Sequence, residues 1–289
     1  MKKERYIGIL CVVIATILWG SNGIFVNLLG DTGMNSFETS SVRMIMAALI
    51  ESVLFCFYKD KDRVRGKDLI WFALVGLIGM FGFVVAYSAC ITRVGMGVAA
   101  VLIYLMPTIV MIYSCIFSKE KLTFVKIAAL LVNLVGCGLV SGIVSDVKAD
   151  LLGIAFGILT AFCYAFNNIT VAKLSNYSPF TRMYYPSIFA AVFGVLYLVL
   201  FSEPIKIIGN FLSNPSFLFN SLLWAICCSM CPYYLFNRSL KGLNVTEASM
   251  LSTFELIFAV LFGIIFFNEP FDFANVIGAV LVFVSILII

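Results

Sequence analysis

The chain has 289 residues, 62% of them hydrophobic and 12% charged, and its mean hydropathy is +1.08. A water-facing globule carries roughly 25% charged residues to cover its surface, so soluble enzymes, nucleic-acid binders and disordered chains are poor readings and an integral membrane protein is the strong one. The formal net charge is +4 and there is no histidine, which removes histidine ligands, bases and proton relays and leaves carboxylates for any proton-linked step.

In chain order, Met1-Lys-Lys-Glu-Arg5 leads into an apolar run over 6–29 that is too long for a typical signal core and reads as a retained first span. Runs over 36–58, 69–92, 96–117, 124–143, 151–173, 179–201, 217–240, 244–267 and 273–289 follow, each near the roughly 20 residues that cross a bilayer as helix. No run alternates as a barrel strand does. The expectation is an all-α integral membrane protein of ten transmembrane helices. The nine cysteines lie inside or at the ends of these runs, so they read as small apolar filling rather than a disulfide framework. With the N-terminus inside, 15 of the 19 Lys and Arg fall on the cytoplasmic side and three outside, with Arg43 inside a span. That bias predicts a multi-pass protein of the cell membrane with a cytoplasmic N-terminus.

Segments recur. Gly8 to Trp19-Gly-Ser-Asn22 resembles Gly153 to Tyr164-Ala-Phe-Asn167, Tyr87 with Gly95-x-x-Val98 resembles Tyr234 with Gly242-x-x-Val245, and Ser118-Lys-Glu120 resembles Phe267-Asn-Glu269. The order is the same in both copies, so residues 1–145 and 146–289 read as two five-helix units. Five is odd, so the second copy enters the bilayer from the opposite side. Glu120 is then expected in the cytoplasm and Glu269 outside. Inverted repeats of this kind underlie alternating-access carriers.

These residues resemble the drug/metabolite transporter superfamily, specifically its EamA-type branch, over essentially the whole chain. The resemblance rests on Leu18-Trp19-Gly20-Ser-Asn22, Arg43, Met106-Pro107-Thr with Glu120-Lys-Leu-Thr, and Phe254-Glu255-Leu-Ile-Phe-Ala with Asn268-Glu269-Pro270. One departure stands: Leu256 follows Glu255 where the family often has proline, while Pro107 keeps it in the first unit. The resemblance implies ten helices and a carrier of small metabolites.

Charges in hydrocarbon are costly and face a cavity or a partner. Arg43, Glu51 and Glu255 are the deep ones. Arg43 and Glu51 are eight residues apart on one helix, about 12 Å, too far to pair. Glu255 suits a cationic group or a proton, the alternative being a carboxylate satisfied by neighbouring hydroxyls such as Ser252 and Thr253. For Arg43 the alternative is anchoring helix ends through backbone carbonyls. Asn22 and Asn167 occupy equivalent positions and read as cavity lining, with Asn27 and Asn168 nearby. Trp19 pairs with Tyr164 by repeat, and Tyr87 with Tyr234. With Tyr104 they offer rings and hydroxyls to an organic substrate. Trp71 and Trp224 read as packing. Pro107, Pro186 and Pro232 are candidate hinges. Gly76, Gly79, Gly82, Gly153 and Gly157 allow close helix approach.

No phosphate-cradling loop is present, so ATP drive has no support. The expected function is secondary transport of an amino acid, amine or drug-like compound by alternating access, most simply export, with the bilayer and a small-molecule substrate as partners and protons as a candidate coupling ion. No enzyme constellation, cofactor, metal or nucleic-acid partner is expected. Facilitative uptake and a non-transporting scaffold are the alternatives.

Overall fold

In lipid, every backbone N–H and C=O must be satisfied within the protein, and a helix does this along its own length. The computed structural model describes residues 2–30, 34–58, 62–117, 123–140, 150–204, 207–209, 214–267 and 273–287. Glu120 and Glu269 lie outside them. The first five expected runs become α1 (Lys2–Gly20), α2 (Asn22–Gly30), α3 (Ser36–Phe57), α4 (Gly66–Leu74), α5 (Phe83–Val94), α6 (Met96–Ile103), α7 (Met106–Phe117) and α8 (Phe124–Val140). The rest become α9 (Leu151–Lys173), α10 (Pro179–Phe201), α11 (Pro215–Ala225), α12 (Cys231–Ser239), α13 (Val245–Leu251), α14 (Phe254–Phe267) and α15 (Phe273–Leu287).

Among the described residues, eight helical stretches are long and apolar enough to cross a membrane, and Phe124–Leu139 and Val276–Ser285 are shorter apolar helices. The protein is an all-α membrane protein, and its outer surface is apolar in keeping with lipid as solvent: Phe124 is 84% and Leu151 82% exposed.

Several spans are not single regular helices. Ser21 interrupts the first, and its hydroxyl donates to the Leu18 carbonyl at 2.7 Å. Tyr104 and Leu105 divide α6 from α7, where Pro107 supplies no N–H. Ser252 and Thr253 divide α13 from α14 at the equivalent place. No proline acts there. Instead the Ser252 and Thr253 hydroxyls donate back to the carbonyls of Ser249 and Met250, each at 2.7 Å, competing with the helical ladder.

A π-helical segment, Val75–Gly82, joins α4 to α5, and another, Ile226–Met230, joins α11 to α12. In the second, Pro232 withholds the N–H that the Cys228 carbonyl would otherwise accept, and the Cys231 N–H reaches back five residues to Ile226. Wide turns of this kind bend a helix and re-aim its side chains.

The pairings are regular. α8 lies on α15 and α3 on α10. α5 lies on α9 as α12 lies on α1, and α6 and α7 meet α9 as α14 meets α1. Exchanging the two halves of the chain maps these pairings onto one another. Glycines set the closest approaches. A Cβ at Gly76 would sit 2.6 Å from the Pro186 carbonyl oxygen, one at Gly79 2.8 Å from Asn167 Cβ, and one at Gly136 2.8 Å from the Gly278 carbonyl oxygen.

Candidate functional site

The interruption at Ser21 starts α2 at Asn22, whose amide oxygen is the meeting point of two donors. Arg43 Nη1 donates to it at 3.1 Å and Trp224 Nε1 at 2.7 Å. The Arg43 guanidinium carbon also stands 5.0 Å from the Trp224 ring centroid, a cation–π arrangement. Arg43 Nε is buried and has no hydrogen-bond partner. Carbonyl anchoring therefore belongs elsewhere: Arg182, 2% exposed, donates Nη1 to the Val171 carbonyl at 3.0 Å and Nη2 to the Asn237 carbonyl at 2.6 Å. Arg182 is thus a buried strut.

The break at Ser252 and Thr253 puts Glu255 in the first turn of α14. It is partly accessible and lies within electrostatic reach of Arg43, yet the two are not ion-paired. Tyr87, Tyr104, Tyr164 and Tyr233 all feel the same carboxyl. Phe83 joins the ring, stacked on Tyr87 at 5.8 Å and edge-on to Tyr164 at 5.4 Å. Trp19 enters from the other side, its ring 5.5 Å from that of Tyr233.

The structure thus brings Trp19, Asn22, Arg43, Tyr87, Tyr104, Tyr164 and Glu255 around one region. Asn167 stands beside it, packed on Gly79 and facing Tyr233 and Arg182 across a void of about 10 Å³, room for about one water. Asn168 is spent on structure, its Nδ2 donating to Ser249 Oγ at 3.2 Å and to Met106 Sδ at 3.4 Å.

Tyr234 is not brought in. It is 38% exposed and its neighbour Tyr233 faces the carboxyl, because adjacent helical residues diverge by about 100°. Trp71 is 47% exposed. Trp224, read as packing, is instead one of Asn22's two donors.

On the face that carries the N-terminus, the interior beneath the site is filled. Val12, Ala15, Val75, Val171, Phe236, Leu243, Ala248 and Leu251 pack there with Trp19. Polar ties close it further. Arg5 pairs with Glu247 and Arg238 with Glu4, each at 2.9 Å. The Tyr177 hydroxyl donates to Asp68, and Asp62 accepts from the Thr181 hydroxyl at 2.6 Å and the Ser178 N–H at 2.7 Å. Partial burial works against ionisation of Asp62, but these hydrogen bonds outweigh it and hold the carboxyl below the usual range. On the opposite face Arg93 pairs with Asp150 at 3.1 Å. Asp150 caps α9 through the Leu152 and Gly153 N–H groups, and the Gly153 N–H above all, with Arg93, lowers its pKa.

The profile of the EamA-like transporter family matches residues 6–142 and again residues 151–289. An uncharacterized transporter of Bacillus subtilis, YxxF, is 24% identical over 97% of this chain and 88% of its own length. An uncharacterized inner membrane transporter of Salmonella typhimurium, YicL, is 23% identical over 98% and 94%, and an uncharacterized transporter of Archaeoglobus fulgidus is 26% identical over 89% and 89%. A crystal structure shares the fold at a TM-score of 0.81 with 15% identity, over 99% of this chain and 97% of that one.

Proposed function

The chain belongs to the EamA-like transporter family, and from that premise we propose that it is a secondary carrier that exports a small organic metabolite across the cytoplasmic membrane by alternating access. The substrate sits among Trp19, Asn22, Arg43, Tyr87, Tyr104, Tyr164, Tyr233 and Glu255, with Asn167 on the path beyond. One observation carries this reading: a guanidinium and a carboxyl face one region inside the bilayer without pairing, ringed by tyrosines. Unpaired charges inside a membrane mark a pathway or a ligand site.

The pair matches a ligand with a charge of each sign, such as an amino acid. Arg43, whose Nε is free, takes a carboxylate. Glu255 and the aromatic rings take an ammonium group. With the N-terminus in the cytoplasm, the filled and tied face is the inner one. The exchange of pairings between halves supports two mirror-related end states.

The test is transport by purified protein in proteoliposomes loaded with a mixture of radiolabelled L-amino acids. Glu255→Gln is expected to abolish efflux while expression and thermal unfolding stay at wild-type values. Unchanged efflux in that variant removes Glu255 from the site. Equal flux in both directions with no response to an imposed ion gradient replaces export by facilitated diffusion.

A further inference from the structure

Glu51 is an ionisable side chain deep in the bilayer that the site above does not use. It lies on α3, two helical turns beyond Arg43, and is 1% exposed. The Ser187 hydroxyl of α10 is hydrogen-bonded to its carboxyl. Its Oε2 is buried with no partner.

The elements packed on α3 are α10, α11, the segment Ile226–Met230 and α5. Their titratable groups are Arg182, Tyr184, Tyr185 and Tyr197 on α10, Cys227 and Cys228 on the π-helical segment, and Tyr87, Cys90 and Arg93 on α5; α11 has none, and α3 itself adds Glu38, Arg43 and Cys56. None of them acts on the Glu51 carboxyl. The cations are committed elsewhere: Arg43 to Asn22, Arg182 to two carbonyls, Arg93 to Asp150. A carboxylate anion taken out of water needs a cation or several donors, and here one hydroxyl is available. A carboxylic acid in the same place needs far less.

We propose that Glu51 is a proton-binding site at the seam of α3 and α10, separate from the substrate site. α3 comes from the first half of the chain and α10 from the second, so movement of the halves opens and closes this seam. The proton is held on the carboxyl while the seam is shut, and it exchanges with water when the seam parts. Proton binding stands on the geometry alone. Its coupling to transport rests on the carrier reading given above.

Two measurements test it. Infrared spectra of the protein in liposomes at neutral pH are expected to show a deuterium-sensitive C=O stretch of a protonated carboxyl. That band is lost in Glu51→Gln, kept in Glu255→Gln and displaced in Ser187→Ala. A Glu51→Gln spectrum that keeps the band overturns the proton site. In proteoliposomes with the radiolabelled L-amino acid mixture, Glu51→Gln is expected to keep counterflow exchange but lose accumulation driven by a pH gradient. Equal gradient-driven accumulation in the variant and the wild type overturns the coupling. A wild type that moves none of the mixture counts against the substrate reading, and the infrared band still decides the proton site.

Discussion

Asn22 Oδ1 accepts from Arg43 and from Trp224 at once, so one amide fixes the attitude of the cation that faces Glu255. Asn22→Leu leaves both donors without that partner. Stranding a buried donor costs about 1–3 kcal/mol, so the variant is expected to unfold at lower temperature in detergent and to lose most of its transport rate. Tyr233 and Tyr234 make a sharper comparison. Tyr233→Phe removes a hydroxyl that faces Glu255 and is expected to slow transport, whereas Tyr234→Phe, on the exposed side, leaves initial rates unchanged. Sequence could pick out Arg43, Asn22 and Glu255 because a polar group in an apolar run is conspicuous. It could not choose between two adjacent tyrosines, since internal repetition pointed to Tyr234 and the pitch of α12 decides for Tyr233. Trp224 was hidden for another reason: an indole in an apolar helix looks the same whether its N–H has a partner or not.

The interruptions follow a similar logic one level up. Helix locations were legible from hydropathy to within a few residues, because about 20 apolar residues have one economical use in a bilayer. The break before α7 was marked by Pro107. The break before α14 was not, since it comes from hydroxyls that turn back onto the chain at Ser252 and Thr253. Thr253 also accepts from Asn133 Nδ2 at 3.0 Å, and that amide reaches Ser285 Oγ at 3.0 Å as well. Thr253→Val therefore straightens the junction and strands part of Asn133. It is expected to cost about 1–3 kcal/mol and to reduce transport, while Thr253→Ser retains both; thermal unfolding and initial rates on the pair separate the outcomes. The glycine seams make a companion case. Gly79→Val drives a branched side chain into Asn167, and overpacking of this kind costs about 1–3 kcal/mol, seen as a lower unfolding temperature.

Across the whole molecule, closure of the N-terminal face depends on ties between segments far apart in sequence. Each exposed ion pair contributes about 0–1 kcal/mol, so the set is strong enough to bias a conformational balance and weak enough to release. Cys11 is buried and within electrostatic reach of both Glu4 and Arg238, which makes it a built-in reporter. Glu4→Gln combined with Glu247→Gln is expected to raise the rate of maleimide labelling at Cys11 severalfold, read by peptide mass spectrometry; an unchanged rate would show that the apolar filling alone keeps this face shut. Asp62 adds a pH dependence. Its folded pKa lies below its unfolded value of about 3.9, so its contribution is present above that value and fades as pH falls through the folded one. The stability gap between wild type and Asp62→Asn should accordingly close in acid, as followed by thermal unfolding across pH.

The first span is cut at Ser21, but its counterpart α9 runs unbroken from Leu151 to Lys173. A rocker built on one jointed arm and one stiff arm does not rest level. Under the alternating-access reading proposed above, its two orientations differ in free energy even with nothing bound and no gradient applied. Such a carrier has unequal half-saturation concentrations on its two sides, and when it merely equilibrates its cargo, unequal maximal velocities must offset them in the same ratio.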